Sequence, residues 1–304
     1  MDTIIQKLGI EEDNQLYIKR EDLYPFSFGG NKARKGMLFW RDLKNKRADY
    51  IVTYGSTSSN HCRVIANIAA SEKIPCCIIS PEEIAHETYN MKMMRLFGVK
   101  MIFSEVSKVH ETIESILHDL KIQGYNPYFI QGGGHGNLGT QAYVNCYEEI
   151  CRYEEINNVH FDYIFHASGT GTTQAGLVCG SIINQSERNI VGISIARKAP
   201  YGRNVIIDSI DDYLKEKMYE GKWDTNSVVF EDLYTGSGYG VSSEKIQETI
   251  DIMMKEYGIP LDSTYTGKAF YGMKEFLNKN EIKNKNILFI HTGGTPLFFD
   301  YLGE

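Results

Sequence analysis

The sequence lacks the features that mark several protein classes. It has only 7 prolines in 304 residues and no low-complexity segment, so no linker marks a domain boundary. Its 6 cysteines show no paired CxxC spacing, which argues against a cysteine metal site, and a core-rich chain of this length needs no disulfide framework. No window has the apolar run of a signal peptide or a membrane span. These absences favour a cytoplasmic protein with reduced thiols.

The charge and the length limit the partners and the size of the core. The net charge of -7 is spread along the chain without a basic block, which argues against nucleic acid or an anionic membrane surface as the partner. With 42% hydrophobic residues, the chain can bury one large core or two smaller ones. A small-molecule substrate is the remaining class of ligand.

Short apolar runs rich in β-branched residues alternate with segments of helical period. The helical period is clearest at Val64, Ile65 and Ile68, and again at Ile113, Ile116 and Leu117. Strand, helix and strand at this pace predict an α/β protein with parallel sheets in two lobes. The runs predicted as strands are 50–53, 76–79, 100–103, 128–130, 163–165 and 191–194.

The tetrapeptide Gly29-Gly30-Asn31-Lys32 lies where a loop is expected to become a helix. A lysine can condense with an aldehyde, and pyridoxal phosphate is the cofactor that uses a lysine in this way. The alternative is a solvated basic helix start, because Ala33-Arg34-Lys35 follow. The tetrapeptide alone does not decide between the two.

Two further polar loops follow predicted strands, where open α/β sheets bind their ligands. Residues 55–61 place small hydroxyl side chains at an expected helix start, which is either a simple Ser/Asn cap or a site for a carboxylate or phosphate. Residues 168–176 are rich in glycine and threonine and open a helix. They lack the Gly-Lys-Ser/Thr end of a nucleotide P-loop, so a single phosphate group fits better than a dinucleotide, with a plain glycine turn as the alternative.

Glycine-flanked polar residues recur in the rest of the chain. The loop 131–137 contains four glycines that could allow a flat ligand close to the backbone, although a flexible loop explains it equally well. Near the C-terminus, Tyr239 and Tyr265 lie beside glycines in loops that we expect to face the same cleft, and His291-Thr292-Gly293-Gly294 follows another apolar run. Most buried tyrosines are core residues, so only this context singles out the two.

Together these motifs resemble the fold-type II pyridoxal-phosphate enzymes, and within them the family of D-cysteine desulfhydrase and 1-aminocyclopropane-1-carboxylate (ACC) deaminase. The resemblance covers nearly the whole chain in family order. The matching blocks are 19–23, 29–32, 59–61, 170–176, 238–240, 265–269 and 291–294.

The resemblance implies roles for individual residues. Lys32 would hold pyridoxal 5′-phosphate as a Schiff base and would also remove and return the Cα proton. Asn60 would bind the 3′-oxygen of the cofactor, and Tyr265 would lie against its ring, while Tyr239 would act on the substrate or its leaving group. The remaining implied roles are the cofactor phosphate for Thr170, Gly171, Thr172 and Thr173, and the substrate for Ser59, Asn60, His61 and Gly133. No metal is implied.

Two positions separate the chemistries of this family. The deaminase has a glutamate where this chain has Thr266 and a leucine where it has Thr292, so the chain resembles the desulfhydrase at both positions. We therefore expect β-elimination on a small D-amino acid such as D-cysteine. A β-replacement synthase, a deaminase-like or other amino-acid lyase, and a non-catalytic relative are the alternatives.

The resemblance also implies an architecture and an assembly. Residues 35–143 would form a small domain inserted into a large cofactor-binding domain made of 1–34 and 144–304, each with an open, twisted parallel sheet. The cofactor would lie between the domains. A homodimer is expected by analogy with the class. The sequence departs from the family at His135, where many relatives have a small residue.

Overall fold

The protein has two β-sheets flanked by helices in a computed structural model that describes residues 2–82, 87–186, 188–236, 238 and 240–302. The strands are β1 (Ile5–Glu11), β2 (Asn14–Lys19), β3 (Tyr50–Tyr54), β4 (Cys76–Pro81), β5 (Lys100–Ser104), β6 (Pro127–Ile130), β7 (Tyr163–Ser168), β8 (Asn189–Ser194), β9 (Val229–Glu231) and β10 (Asn286–Ile290). All six runs predicted as strands are strands, and the predicted α/β class with parallel sheets in two domains is confirmed.

Helices connect most of these strands. They are α1 (Gly30–Asn45), α2 (Asn60–Glu72), α3 (Tyr89–Leu96), α4 (Val109–Ile122), α5 (Asn137–Asn157), α6 (Thr172–Ile183), α7 (Tyr201–Glu216), α8 (Glu244–Tyr257), α9 (Thr266–Lys279) and α10 (Thr295–Leu302). Short 3₁₀ helices occur at Glu21–Leu23, Val106–Lys108 and Thr225–Ser227. Among the helices in the described ranges, none has both the length and the apolar character needed to cross a membrane.

The large sheet has the strand order β1-β2-β10-β7-β8-β9, and the small sheet has the order β5-β4-β3-β6. Every pairing is parallel except that of β1 with β2. This exception was not predicted. It arises because Glu12 and Asp13, both at positive φ, join the two strands in a two-residue hairpin turn, which forces an antiparallel pairing.

Both sheets are buried on both faces, as parallel sheets usually are. In β7, Ile164 packs with α5 and α6 on one face, and Phe165 packs with α9 on the other. In the small sheet, Ile51 and Val52 point to opposite faces in the same alternating way. The small sheet is built from strands between residues 50 and 130, whereas the large sheet takes strands from before and after it. The domain boundaries at 34/35 and 143/144 stay predictions.

Candidate active site

A cavity of about 710 Å³ lies at the carboxyl ends of the strands of both sheets. Its wall includes Gly55 after β3, Gln131 after β6, Ser168 at the end of β7, Ile195 after β8 and Thr292 after β10. Loops at this edge of a parallel sheet are the usual ligand-binding position in open α/β proteins. The parallel topology therefore brings together the polar loops that the sequence scatters over the chain.

Lys32 projects into this cavity from the first turn of α1. Its Nζ donates a hydrogen bond to the Gly133 carbonyl oxygen at 2.8 Å, and no carboxylate of the described residues forms an ion pair with it. Burial lowers the pKa of Lys32 to about 8, and the charge of Arg197 acts in the same direction. A lysine with this pKa has a large neutral fraction near neutral pH, so its amine can act as a nucleophile and as a base.

The start of α1 and the loop after β10 are in direct backbone contact. The Asn31 amide donates to the Thr292 carbonyl oxygen at 2.9 Å. Gly30 and Gly293 both have positive φ, and a Cβ added to Gly293 would lie 2.5 Å from the Gly30 Cα. Only glycine permits this approach, which holds Lys32 and Thr292 on adjacent parts of the cavity wall.

The loop before α6 is built to bind an anion. Gly171 at φ +99 is the N-cap of α6 and supplies no side-chain cap, so the first amides of the helix are open to a ligand. Thr170, Gly171 and Thr173 line the cavity, and the Asn31 side chain donates to the Thr173 hydroxyl oxygen at 3.1 Å. The Thr172 side chain is fully buried behind them and is not among the lining residues of the described chain.

Lys35 is a second cation at this loop, and our sequence interpretation assigned it no role. Its Nζ donates to the Thr172 hydroxyl oxygen at 2.7 Å and lies over the Tyr143 ring, 5.8 Å from the centroid. Burial, followed by the charge of Lys32, lowers the pKa of Lys35 well below its usual value. The signal was in the sequence, because residues three apart in a helix share a face.

Gly133 joins the loop after β6 to the loop before α6. It has φ +73, and a Cβ at this position would lie 2.6 Å from the Thr170 methyl carbon, so only glycine lets the two loops approach this closely. Its carbonyl oxygen is the acceptor for Lys32. The glycine loop is thus a wall of the cavity, with Gly132, Gly133 and His135 among the lining residues.

Ser59, Asn60 and His61 all line the cavity at the start of α2. Ser59 is the N-cap residue, and its hydroxyl oxygen accepts a hydrogen bond from the Cys62 amide at 3.2 Å. The two interpretations of this segment are compatible, because the helix cap and the cavity wall are the same residues. The open end of α2 favours a negatively charged group in front of it.

Hydrogen bonding fixes the protonation of the His61 ring. The Thr53 hydroxyl donates its single proton to the Ile130 carbonyl oxygen at 2.7 Å, so the 2.9 Å contact between Thr53 Oγ1 and His61 Nε2 requires a proton on Nε2. Burial, together with the charges of Lys32 and Lys35, lowers the pKa of His61 well below its usual value. The ring is therefore neutral, and its Nδ1 is an acceptor.

The last group of predicted residues divides between the cavity wall and the interior. Tyr265 and Thr292 line the cavity. Thr266 is fully buried outside the lining set of the described residues, and its hydroxyl donates to the Asp262 carboxylate at 2.8 Å while accepting from the Asp262 amide at 2.9 Å. Tyr239 lies outside the described residues.

The outer part of the cavity wall was missed by the sequence interpretation. It includes Arg197, Tyr201, Asp208 and Asp212, which follow β8 or lie on α7. Arg197 lies over the Tyr201 ring at 5.4 Å and donates to the Thr170 carbonyl oxygen at 3.2 Å. No glycine motif marks this segment, and only the position of Arg197 after a strand could have indicated it.

Comparisons with known proteins agree with this geometry. The family model for pyridoxal-phosphate dependent enzymes matches residues 3–293. A D-cysteine desulfhydrase of Yersinia enterocolitica is 31% identical over 312 residues, which cover 98% of this chain and 93% of that protein. The crystal structure of an ACC deaminase homologue superposes with a TM-score of 0.90 at 31% identity, covering 100% of this chain and 92% of the other.

A more distant structure shares the fold. A hydrogen sulfide-producing enzyme from Fusobacterium nucleatum superposes with a TM-score of 0.64 at 19% identity, covering 97% of this chain and 96% of that one. The chain belongs to the family of pyridoxal-phosphate dependent enzymes, and the expected resemblance is confirmed. Its cofactor is pyridoxal phosphate, and its relatives support the prediction that it is a lyase.

Proposed function

We propose that the protein catalyses β-elimination on a small D-amino acid, with D-cysteine as substrate. One D-cysteine and one water would give pyruvate, hydrogen sulfide and ammonia. The observation that carries the proposal is Lys32 on the cavity wall, with a pKa of about 8 and no ion pair to a carboxylate of the described residues, in a chain that is 31% identical to D-cysteine desulfhydrases over 98% of its length.

The donor set around the cavity fits pyridoxal phosphate. The open amides of α6 at Thr172 and Thr173, with Thr170 and Gly171, would hold the phosphate group, and Lys35 would support this loop from behind through the Thr172 hydroxyl. The cavity of about 710 Å³ has room for a flat ring. Asn60 would bind the 3′-oxygen. Tyr265 would lie beside the ring, with Thr266 and Thr292 near it.

The chemistry divides between the cofactor and the chain. Bound through Lys32, pyridoxal phosphate supplies an electron sink for the negative charge that forms at the substrate Cα. Lys32 Nζ would remove the Cα proton, a task for which a pKa of about 8 is well matched near neutral pH. We propose that Tyr239 acts on the leaving group.

The substrate carboxylate would lie at the start of α2. Because the neutral His61 ring presents an acceptor at Nδ1, it would repel a carboxylate rather than hold it. We therefore assign the carboxylate to the open amides of Asn60 and His61 and to the Ser59 hydroxyl. Gly133 would keep the opposite wall close to the substrate. The His61 side chain would then face the positive groups of the substrate or of Lys32.

Thr266 supports elimination rather than opening of a cyclopropane ring. Its hydroxyl proton is committed to Asp262, so the hydroxyl cannot donate to a ring nitrogen as an acid would. A ring without an acidic partner is a weaker electron sink. Such a sink suffices when sulfide leaves Cβ with its electrons, whereas ACC has no such leaving group. The ACC deaminase homologue keeps the deaminase as the second candidate.

Three further features belong to this proposal. We propose a large domain of 1–34 and 144–304 and an inserted small domain of 35–143, which would close over the substrate and exclude water. We also propose a homodimer and a cytoplasmic location. The dimer is tested by sedimentation of the purified protein, and the location by fractionation of the cells that produce it.

The decisive experiment measures pyruvate and sulfide released by the purified, cofactor-loaded enzyme. D-cysteine, L-cysteine, D-serine and ACC are compared, with the Lys32→Ala variant as the control. Equal release of both products from D-cysteine alone supports the proposal. Ketobutyrate and ammonia from ACC would favour the deaminase instead.

One alternative function, β-replacement, needs a separate experiment. A β-replacement synthase would join the same three-carbon unit to a second nucleophile, so added thiols or amines would divert pyruvate into a new amino acid. An enzyme that binds the cofactor but is silent with all four substrates would contradict the D-cysteine proposal. It would leave the cofactor assignment intact.

A further inference from the structure

A chain of hydrogen bonds behind the cavity holds the side-chain amide of Asn60. Asn90 on α3 donates from Nδ2 to the Ser58 carbonyl oxygen at 2.8 Å and to Asn60 Oδ1 at 3.0 Å. Arg63, one turn further along α2, donates from Nη2 to the same Oδ1 at 3.4 Å. Asn60 Oδ1 is thus held by two donors on the side away from the cavity.

The hydrogen bonds at both ends of this network can run in only one direction. The Ser58 carbonyl can only accept a hydrogen bond, so Asn90 must present its NH₂ group to it. The Arg63 guanidinium can only donate, so Asn60 must present its oxygen to it. The orientation of the Asn60 amide therefore follows from its neighbours, and its NH₂ group is left for the cavity that Asn60 lines.

The burial of the Arg63 side chain costs free energy. Only 1% of it is exposed, and it forms no ion pair with a carboxylate in the described part of the chain. Burial lowers its pKa to about 10. Its Nη1 donates to the Ser27 hydroxyl oxygen at 2.8 Å and to the Ser27 carbonyl, and its guanidinium lies 5.6 Å from the centroid of the Phe28 ring.

These contacts connect two parts of the candidate site. Ser27 and Phe28 belong to the loop that leads into α1 and Lys32, whereas Asn60 opens α2. A buried cation without a partner carboxylate is costly, and packed apolar residues of similar size commonly replace such a charge without loss of stability. A role in stability alone therefore explains Arg63 poorly, and its shared acceptor with Asn90 suggests a role in orientation.

We propose that Asn90 and Arg63 are positioning residues that set the polarity of the Asn60 amide, so that its NH₂ group donates to the 3′-oxygen of the cofactor. The inference rests on the proposed contact between Asn60 and the cofactor. Neither residue touches the reacting atoms. Their effect is to make a donor, rather than an acceptor, face a phenolic oxygen that is more stable as an anion when it receives a hydrogen bond.

The test is the isosteric substitution Asn90→Asp in the cofactor-loaded enzyme. A carboxylate at this position can only accept, so it repels Asn60 Oδ1 and draws the Asn60 NH₂ group away from the cavity. The 3′-oxygen then faces an acceptor and keeps its proton. We expect part of the visible absorbance of the bound cofactor to move to the near ultraviolet, and the cofactor Kd to rise about tenfold.

Thr88→Val is the matched control on the same helix. The Thr88 hydroxyl caps α3 and donates to the Thr57 carbonyl oxygen at 2.9 Å, so its loss weakens the packing of α3 on the same loop without changing a partner of Asn60. This variant should lose stability and keep the cofactor spectrum. If it reproduces the spectral change of Asn90→Asp, the change is structural and the proposal is wrong.

A double-mutant cycle separates this proposal from the cofactor role of Asn60. Asn60→Ala alone must change the spectrum, and Asn90→Asp must add nothing to it in that background. If Asn60→Ala leaves the spectrum unchanged, the cofactor contact itself is wrong. If Asn60→Ala changes the spectrum and Asn90→Asp does not, only the positioning role fails. Should Asn90→Asp not fold, Arg63→Met removes one of the two donors to Asn60 Oδ1 and must give a smaller spectral shift in the same direction, and an unchanged spectrum refutes the role of Arg63.

Discussion

Three cations within one turn of α1 lie in two different electrostatic environments. Arg34 points into a buried cluster, where it donates to Glu21 at 2.6 and 2.8 Å and to Glu149 at 2.7 and 2.8 Å. Lys32 lines the cavity and Lys35 lies behind the loop before α6, where their ammonium groups meet a carbonyl and a hydroxyl oxygen. Helical geometry accounts for the division, because residues three apart share a face and Arg34 is turned roughly 200° from Lys32.

The two regions bury cations for different purposes. In the cluster, Lys19 completes the pairing with Glu149 at 2.8 Å, so two cations meet two carboxylates. Burial alone would raise the pKa of Glu21, but its ion pair with Arg34 prevails and lowers that pKa to about 2. In the cavity, burial is not offset and the pKa values of Lys32 and Lys35 fall. The cluster pairs its charges internally, whereas Lys32 and Lys35 form no ion pair with a carboxylate of the described residues.

The largest effect should come from Lys32. Lys32→Ala removes both the attachment of the cofactor and the proposed base, so we expect loss of the visible absorbance and a fall in turnover of about 10⁴ or more. Spectra and sulfide release check this. Lys44→Ala is the matched control, since Lys44 is an exposed lysine on the same helix paired with Glu72. An unchanged spectrum in Lys32→Ala would remove the basis of the proposed function.

Substitutions in the buried cluster should lower the stability of the protein rather than its affinity for the cofactor. Arg34→Met leaves Glu21 buried without its main partner, so we expect a loss of about 3–5 kcal/mol in the free energy of unfolding of the cofactor-free chain, measured in urea. Adding Glu21→Gln should recover part of this loss, because it removes the uncompensated charge. A loss below about 1 kcal/mol for Arg34→Met would mean that the cluster contributes little to the stability of the protein.

Lys35 should show the opposite pattern on the same helix. Lys35→Met removes a buried ammonium group that forms no ion pair with a carboxylate of the described residues, so we expect the free energy of unfolding of the cofactor-free chain to change by at most about 1 kcal/mol. The Kd for pyridoxal phosphate should rise about 10- to 100-fold, because the positive charge behind the proposed phosphate loop and its hydrogen bond to Thr172 are lost. The Kd for pyridoxal, which has no phosphate, should change little. Equal losses for both ligands would contradict the phosphate role.

The comparison also shows what the sequence could and could not predict. Lys32, Asn60 and the loop before α6 were predicted because each lies in a short motif after a strand or at a helix start, and parallel sheets bring such segments together. The Lys19 pair with Glu149 spans 130 residues, and Asn90 lies 30 residues from Asn60, so no local pattern links them. The antiparallel β1 depended on two residues with positive φ that were not recognised as a hairpin turn.

The orientation of side chains was the least predictable part of the site. His61 was expected to hold a carboxylate, but the Thr53 proton given to Ile130 makes its Nδ1 an acceptor. Thr266 was expected to separate the chemistries of the family, and the structure adds that its hydroxyl donates to Asp262. The hydrogen bonds of both side chains depend on whether a neighbouring group can only accept or only donate a hydrogen bond. That information is absent from a motif and appears only when distant residues meet.

The smallest expected effect concerns the origin of the lowered pKa of Lys32. Because only the neutral amine attacks an aldehyde, the rate of adduct formation with pyridoxal should rise about tenfold per pH unit below pH 8 and level off above it. The Lys32→Ala variant measures the background reaction of the other lysines. Arg197→Met removes a charge that lowers the pKa of Lys32, so the midpoint of the pH profile should move upward. The move should be small, because burial still lowers this pKa. Pyridoxal is the appropriate probe because it keeps the result independent of the phosphate loop that Arg197 also contacts. A midpoint that stays fixed would assign the whole shift to burial, and one that falls would contradict the electrostatic account of the cavity.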